Sequence, residues 1–238
     1  TISLGLFIEM VFGINHQIGM VIGVLFVLSY SLFGGLRSVV YSDIFQFFIM
    51  CTSVLLVALL SVAIFGFEPL KSLPSHYFSP LGTHTLLETL SWGLIALSTI
   101  VDPNFYQRCF AAIDFKVAKR GVIISTCIWI FFDLSLTLGA LYAKAIMPDA
   151  EPQYGYFQYA LSILPTGFRG FFLAGILATI LSTLDSYIFL AGSTLSFDLV
   201  SKRFKGKILI HYTGVILVTV ISLLMANIFD GSIKAVWK

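Results

Sequence analysis

The sequence predicts an all-α protein, a polytopic bundle of membrane-crossing helices, and three observations predict it. Hydrophobic residues make up 58% of the 238 positions and charged residues only 11%, against roughly a quarter charged in an ordinary soluble domain. The mean hydropathy is +0.96. The apolar residues also fall in runs of bilayer-crossing length, about 20 residues, separated by polar or Pro/Gly-rich breaks. Too little polar residue is left to clothe a water-facing surface. A soluble enzyme, a disordered chain and a nucleic-acid binder are excluded on that ground.

In chain order the runs define one partial and six full spans. Span A is Thr1 to about Phe12 and is the partial one. Span B runs from about Gln17 to Phe33 and ends at Gly34-Gly35, a pair that breaks a helix and lets the chain turn tightly. Span C is about Ser42 to Phe65, and D about Leu86 to Phe105. E is about Val117 to Ile146, F about Gly167 to Leu195, and G about Ile208 to Ile228. E and F exceed the crossing length, which calls for tilt, a kink or an extra surface turn. The break from Gly66 to Thr85 is the longest, and its prolines, with His76 and His84, read as a solvated surface loop. The chain starts at Thr1 inside an apolar run, without a basic leader or a small-residue cleavage site. The expectation is a single transmembrane domain over residues 1–238, a fragment of a longer protein. Cys51, Cys109 and Cys127 form no CxxC pair and suggest neither a disulfide framework nor a zinc site.

Orientation follows from lysine and arginine. One set of connections holds Arg37, then Arg108, Lys116, Lys119 and Arg120, then Lys202, Arg203, Lys205 and Lys207. The opposite set holds Lys71, Lys144, Arg169, Lys234 and Lys238. The positive-inside rule puts the first set in the cytoplasm. Span A then runs outward, and strict alternation through six connections fits without exception.

Ionisable groups at bilayer depth cost about 2.5–3.5 kcal/mol each on insertion scales, so they need a partner or a watery cavity. Three aspartates qualify: Asp43 at the inner end of C, Asp133 inside E and Asp185 inside F. In span F, Gly175, Thr179, Ser182, Thr183, Ser186 and Ser193 share one helical stripe, with Leu177, Leu181, Leu184 and Ile188 opposite. Two readings fit this stripe equally. It is a packing seam, since small residues let membrane helices approach and hydroxyls bond back to the i−4 carbonyl. Or its oxygens, beside a carboxylate, are ligands for a hard cation. No lysine or arginine lies in the core of span F, so Asp43 is expected to face the stripe, within reach of Ser182, Asp185 or Ser186. There it would form an inner cation station. Span D ends in VDPNFYQRCFAA, where Asp102-Pro103 breaks the helix.

These segments resemble a known family. GGLRSVVYSDIFQ is similar to the Gly-Gly-Leu-(Lys/Arg)-Ala-Val-x-x-Thr-Asp-x-x-Gln stretch of the sodium:solute symporter family. PNFYQRCFAA resembles its Gln-Arg-x-x-Ala-Ala segment, and TILSTLDSYIFLAGSTLSFDL its Ala-x-x-Ser-(Ser/Thr) sodium-binding helix. The likeness runs from about Ser29 to the end of the chain. It implies the leucine-transporter fold, two inverted five-helix repeats with the ligand site near the midplane. Spans A to C would be helices three to five of the first repeat and D to G the first four of the second. The core helix that comes first in the family is expected to lie outside this fragment.

Carried over, the resemblance implies a sodium site built from the Ser182 and Thr183 hydroxyls and the Thr179 carbonyl. Thr179 stands where the family has alanine, a harmless departure if only the carbonyl binds. Asp43 matches an aspartate that belongs to an additional sodium site in some members, and Asp185 and Ser186 fall where those members place hydroxyl ligands. An aspartate at 185 departs from their serine. The polar and aromatic positions of sugar-transporting relatives fall on Ile95 and Ser98, so a sugar substrate is not supported.

The implied function is sodium-coupled secondary transport: a symporter of the cell membrane that imports a small solute, with sodium as the transported coupling ion and no covalent chemistry. Its partners would be the solute, sodium and the lipid bilayer, with no nucleic acid. Amino acids, short carboxylates and vitamin-like acids all fit. The alternative is a membrane sensor of the same fold in front of a cytoplasmic signalling module. An intramembrane aspartyl protease would want Tyr-Asp and Gly-x-Gly-Asp pairings, whereas the contexts here are Tyr-Ser-Asp43 and Thr-Leu-Asp185.

Overall fold

The computed structural model describes residues 1–151, 154–199 and 208–228, and among them there is no β-strand. Helix α1 (Ile2–Phe12) ends on Gly13 in the left-handed conformation. Helix α2 (His16–Phe65) is broken at Gly35, whose φ of 55° and ψ of −152° only glycine adopts cheaply. Its first arm is His16–Leu32 and its second Gly34–Phe65. A short α3 (Glu68–Lys71) and a 3₁₀ turn (Ser75–Phe78) occupy the long polar connection. Then come α4 (Leu86–Ala96), a 3₁₀ turn (Leu97–Val101), α5 (Pro103–Phe110), α6 (Phe115–Ile146) and α7 (Gly155–Ile163). Helix α8 (Thr166–Thr194) runs into a π-helical turn (Leu195–Leu199), and α9 is Ile208–Ile228.

Every predicted span corresponds to helix, but the boundaries move. Among the described residues, four helices are each long and apolar enough to cross a membrane: Gly34–Phe65, Phe115–Ile146, Thr166–Asp198 and Leu209–Ile228. Spans A and B pass only as a pair, bent by 112° at residues 13–15. Residues 36–41, read as a connection, are helical, because Gly35 alone absorbs the turn and nothing after it breaks the helix. Span D is shorter than predicted, an apolar helix of Leu86–Val101. Asp102 ends it by accepting a hydrogen bond from the Asn104 N–H at 2.8 Å, which caps α5 with Pro103 at its first position. At the other end Thr85 and Glu88 form a capping box. The basic residues Lys202, Arg203, Lys205 and Lys207, with Lys234 and Lys238, lie outside the described residues.

The chain divides into two compact units, residues 1–50 with 174–238, and residues 51–173. In the first, Ile2, Met20 and Ala226 form a buried cluster flanked by Leu6 and Leu223. Helices α8 and α9 approach closely through small residues: a Cβ on Gly192 would lie 2.7 Å from the Val215 Cα, and one on Gly214 would lie 2.7 Å from the Gly192 carbonyl oxygen. Close backbone approach of this kind is how membrane helices gain packing contact. The Ser196 hydroxyl fills the crossing and lies 2.9 Å from the Ile210 carbonyl. In the second unit α7 packs on α6, with Tyr156 against Gly139. The Tyr142 hydroxyl donates to the Gly66 carbonyl.

Candidate cation-binding site

Two consecutive residues of α8 meet the two arms of α2. Asp185 is 0% exposed, and the Tyr30 hydroxyl, from the first arm, donates to its Oδ2 at 2.8 Å. Ser186 is buried beside it and donates to Oδ2 of Asp43, on the second arm, at 3.4 Å. The Ser42 and Gln46 side chains lie against the Tyr30 hydroxyl. Asp43 and Gln46 are three residues apart and therefore share one face of the helix. A hydrogen bond to a charged group contributes about 1.5–3 kcal/mol, similar in size to the insertion cost of one carboxylate. The donors thus offset much of what it costs to keep two aspartates in this unit.

The hydroxyl stripe does not act as one surface. Its buried members are Gly175 and Ser186; Thr179 and Thr183 face outward, while Leu181, Leu184 and Ile188 are buried. The hydroxyls of Ser182 and Thr183 both donate to the Thr179 carbonyl, at 3.2 and 3.1 Å, and the Thr179 hydroxyl donates to the Gly175 carbonyl at 3.0 Å. The three oxygens expected to bind sodium therefore converge within one turn of α8. Thr179 and Thr183 line an open cleft of about 580 Å³ with Ser3, Tyr187, Val218 and Ser222.

The structure brings Asp43 and Ser186 together, ties Asp185 to Tyr30, and gathers Thr179, Ser182 and Thr183 around one carbonyl. Asp133 joins neither group; it is exposed on α6 in the other unit. Tyr30 is the residue that sequence reasoning missed. A tyrosine in the run VLFVLSYSLF looks like any amphipathic aromatic of a membrane helix, and nothing local signals a partner 155 positions away.

Residues 1–235 match the sodium:solute symporter family. The chain is 27% identical over 202 residues to the sodium/pantothenate symporter of Escherichia coli (strain K12), covering 81% of this chain and 42% of that protein. It is 25% identical over 244 residues to the osmoregulated proline transporter OpuE of Bacillus subtilis (strain 168), covering 94% and 49%. It is also 25% identical over 277 residues to sodium/glucose cotransporter 4 of Mus musculus, covering 95% and 40%. The chain spans less than half the length of each of these relatives, and no solved structure matches it. A match over nearly all of its length joins the apolar helices to the motifs around Asp43 and Ser182: the chain belongs to the sodium:solute symporter family, whose members are multi-pass membrane proteins.

Proposed function

We propose that this chain is part of a sodium-coupled symporter that imports a small solute, with sodium as transported coupling ion. The observation that carries the reading is the pair of aspartates at α2 and α8. Asp185 is wholly buried, Asp43 reaches Ser186, and two carboxylates in one apolar unit call for a cation. Asp43, Asp185 and Ser186 form an inner cation station. Ser182, Thr183 and the Thr179 carbonyl form a second group of hard oxygens beside the cleft. Coupling requires that sodium and solute each favour the same closed state, so that each tightens the binding of the other. The names of the relatives supply candidate solutes of three kinds, pantothenate, proline and glucose. Ile95 and Ser98 argue against the sugar. No observation favours the sensor reading.

The test uses the protein at its full natural length in proteoliposomes, with an inward sodium gradient. Pantothenate or proline is expected to accelerate ²²Na⁺ entry, and the sodium gradient to accumulate that solute. Solute uptake that proceeds equally in potassium would overturn the reading.

A further inference from the structure

A buried histidine on α9 takes no part in the site described above. His211 is 8% exposed, and neither Nδ1 nor Nε2 has a hydrogen-bond partner among the described residues. Buried polar tips normally find one. This ring is held by aromatic carbon instead: Phe197, on the π-helical turn, stacks on it at 5.9 Å with the planes 17° apart, and Phe189 of α8 meets it at 5.1 Å and 68°. The socket extends the close crossing of α8 and α9. Gly214 and Val215 follow His211 by three and four positions, so they share its face of α9, and both meet Gly192. Ser196 reaches the carbonyl of Ile210, the residue before His211. The turn that carries Phe197 departs from α-helical winding, as helices often do at functional sites. In the other direction, Phe189 is one turn of α8 away from Asp185 and Ser186.

The titratable groups on these elements give the ring no counter-charge. Asp198 adjoins Phe197 but is exposed, Asp185 is engaged by Tyr30, and Tyr212 is the ring's own neighbour on α9 at 6.3 Å. Lys207, just before α9, lies outside the described residues. A neutral imidazole leaves one donor and one acceptor unmet here. A protonated one is a charge with two donors and no acceptor, and aromatic faces return less to it than water does. Histidine is also the side chain whose charge changes between pH 5 and 8. We infer that His211 is a proton-binding site that latches α8 to α9. The neutral ring seats between Phe189 and Phe197; on taking up a proton it leaves them for water, and the crossing opens at that end.

The experiment reads the latch itself, in the purified full-length protein in lipid nanodiscs with its native cysteines replaced by serine. Nitroxides at Thr194→Cys and Leu209→Cys, both exposed positions beside the crossing, report the separation of the two helices from pH 8 to pH 5.5. A separated population is expected on acidification and, while it is the minority, grows about tenfold per pH unit, the slope of one proton. His211→Phe refills the socket with a ring that takes no proton, and is expected to hold the short separation throughout. Should that variant not fold, His211→Gln, polar and uncharged, replaces it and is expected to show no pH response. A wild-type separation that does not move with pH overturns the proposal, and so does a response of wild-type size in the variant. Sodium-driven uptake is expected to fall over the same range in the wild type but not in His211→Phe, and this arm alone rests on the function proposed above. A moving separation with unmoved uptake keeps the latch and removes its link to transport.

Discussion

The Tyr159 hydroxyl donates to Ser61 Oγ across 2.8 Å, joining α7 to a position 98 residues earlier, and Ser61 donates onward to the Val57 carbonyl at 2.7 Å. Both residues are fully buried. A helix as short as α7, nine residues, is not stable by itself, so it relies on such ties. Tyr159→Phe keeps the ring and loses the donor. It is expected to cost about 1 kcal/mol, read as a lowered melting temperature in detergent. An unshifted melt would show that α7 is held by ring packing alone.

The same helix predicts behaviour at alkaline pH. Burial pushes the Tyr156 phenol above its ordinary value of 10, with Tyr159 nearby adding to the effect. Burial also raises Tyr159, partly opposed by its hydrogen bond with Ser61. The folded state therefore holds these protons more tightly than the unfolded state. The stability they contribute is present in full below the unfolded value and is lost as pH rises above it, through the folded values. Tyr156→Phe is expected to flatten that alkaline decline, followed by tyrosinate absorbance and unfolding on one sample. Early ionisation of every tyrosine in folded protein would contradict it.

Gly214→Ala tests the crossing of α8 and α9. The added Cβ would meet the Ser196 hydroxyl and the Gly192 backbone, and overpacking of this kind costs about 1–3 kcal/mol. Enlarging Ser196 as well should add to the damage, whereas Ser196→Ala should relieve part of it by removing the Oγ. A double variant no better than Gly214→Ala would place the clash entirely on backbone.

The oxygens at Thr179 separate two roles that the sequence could not. If Ser182 and Thr183 only satisfy the helix, their removal together costs little and leaves sodium dependence intact. As cation ligands, Ser182→Ala with Thr183→Ala is expected to raise half-saturating sodium about tenfold or more, while the protein stays folded. Sodium titration of uptake against a melting curve distinguishes these outcomes.

Orientation has a natural reporter in Cys109, partly exposed in the last turn of α5, next to the basic connection that follows it. The positive-inside rule expects a membrane-impermeant maleimide to reach it from the cytoplasmic side only. Labelling from outside in intact cells, with every other cysteine of the full-length protein, Cys51 and Cys127 among them, replaced by serine, would reverse the topology.

Much of the fold was legible because a bilayer imposes a length on apolar runs, and the break in α2 was announced by two adjacent glycines. What the sequence concealed is instructive. Arg37 and Ser38 look like residues of a surface loop, yet exposure does not stop a helix, and within α2 only Gly35 departs from helical geometry. The meeting of Asp43 with the buried edge of the α8 stripe was legible from electrostatics, since a carboxylate needs a donor and span F has no cation. Tyr30 was not. Its partner Asp185 lies 155 positions away, and no local pattern encodes which of several polar tips in an apolar run will turn inward.

The break at Gly35 is a swivel between two stiff rods, and α8 is a third rod. Tyr30 pins the first to Asp185, Asp43 pins the second to Ser186, and the glycine joins them at the remaining corner. Three bars joined at three corners make a triangle, the one polygon that cannot shear. Two hydrogen bonds on adjacent residues thus turn the most permissive residue of the chain into a braced corner. Each of these bonds therefore braces the glycine as well as satisfying a carboxylate.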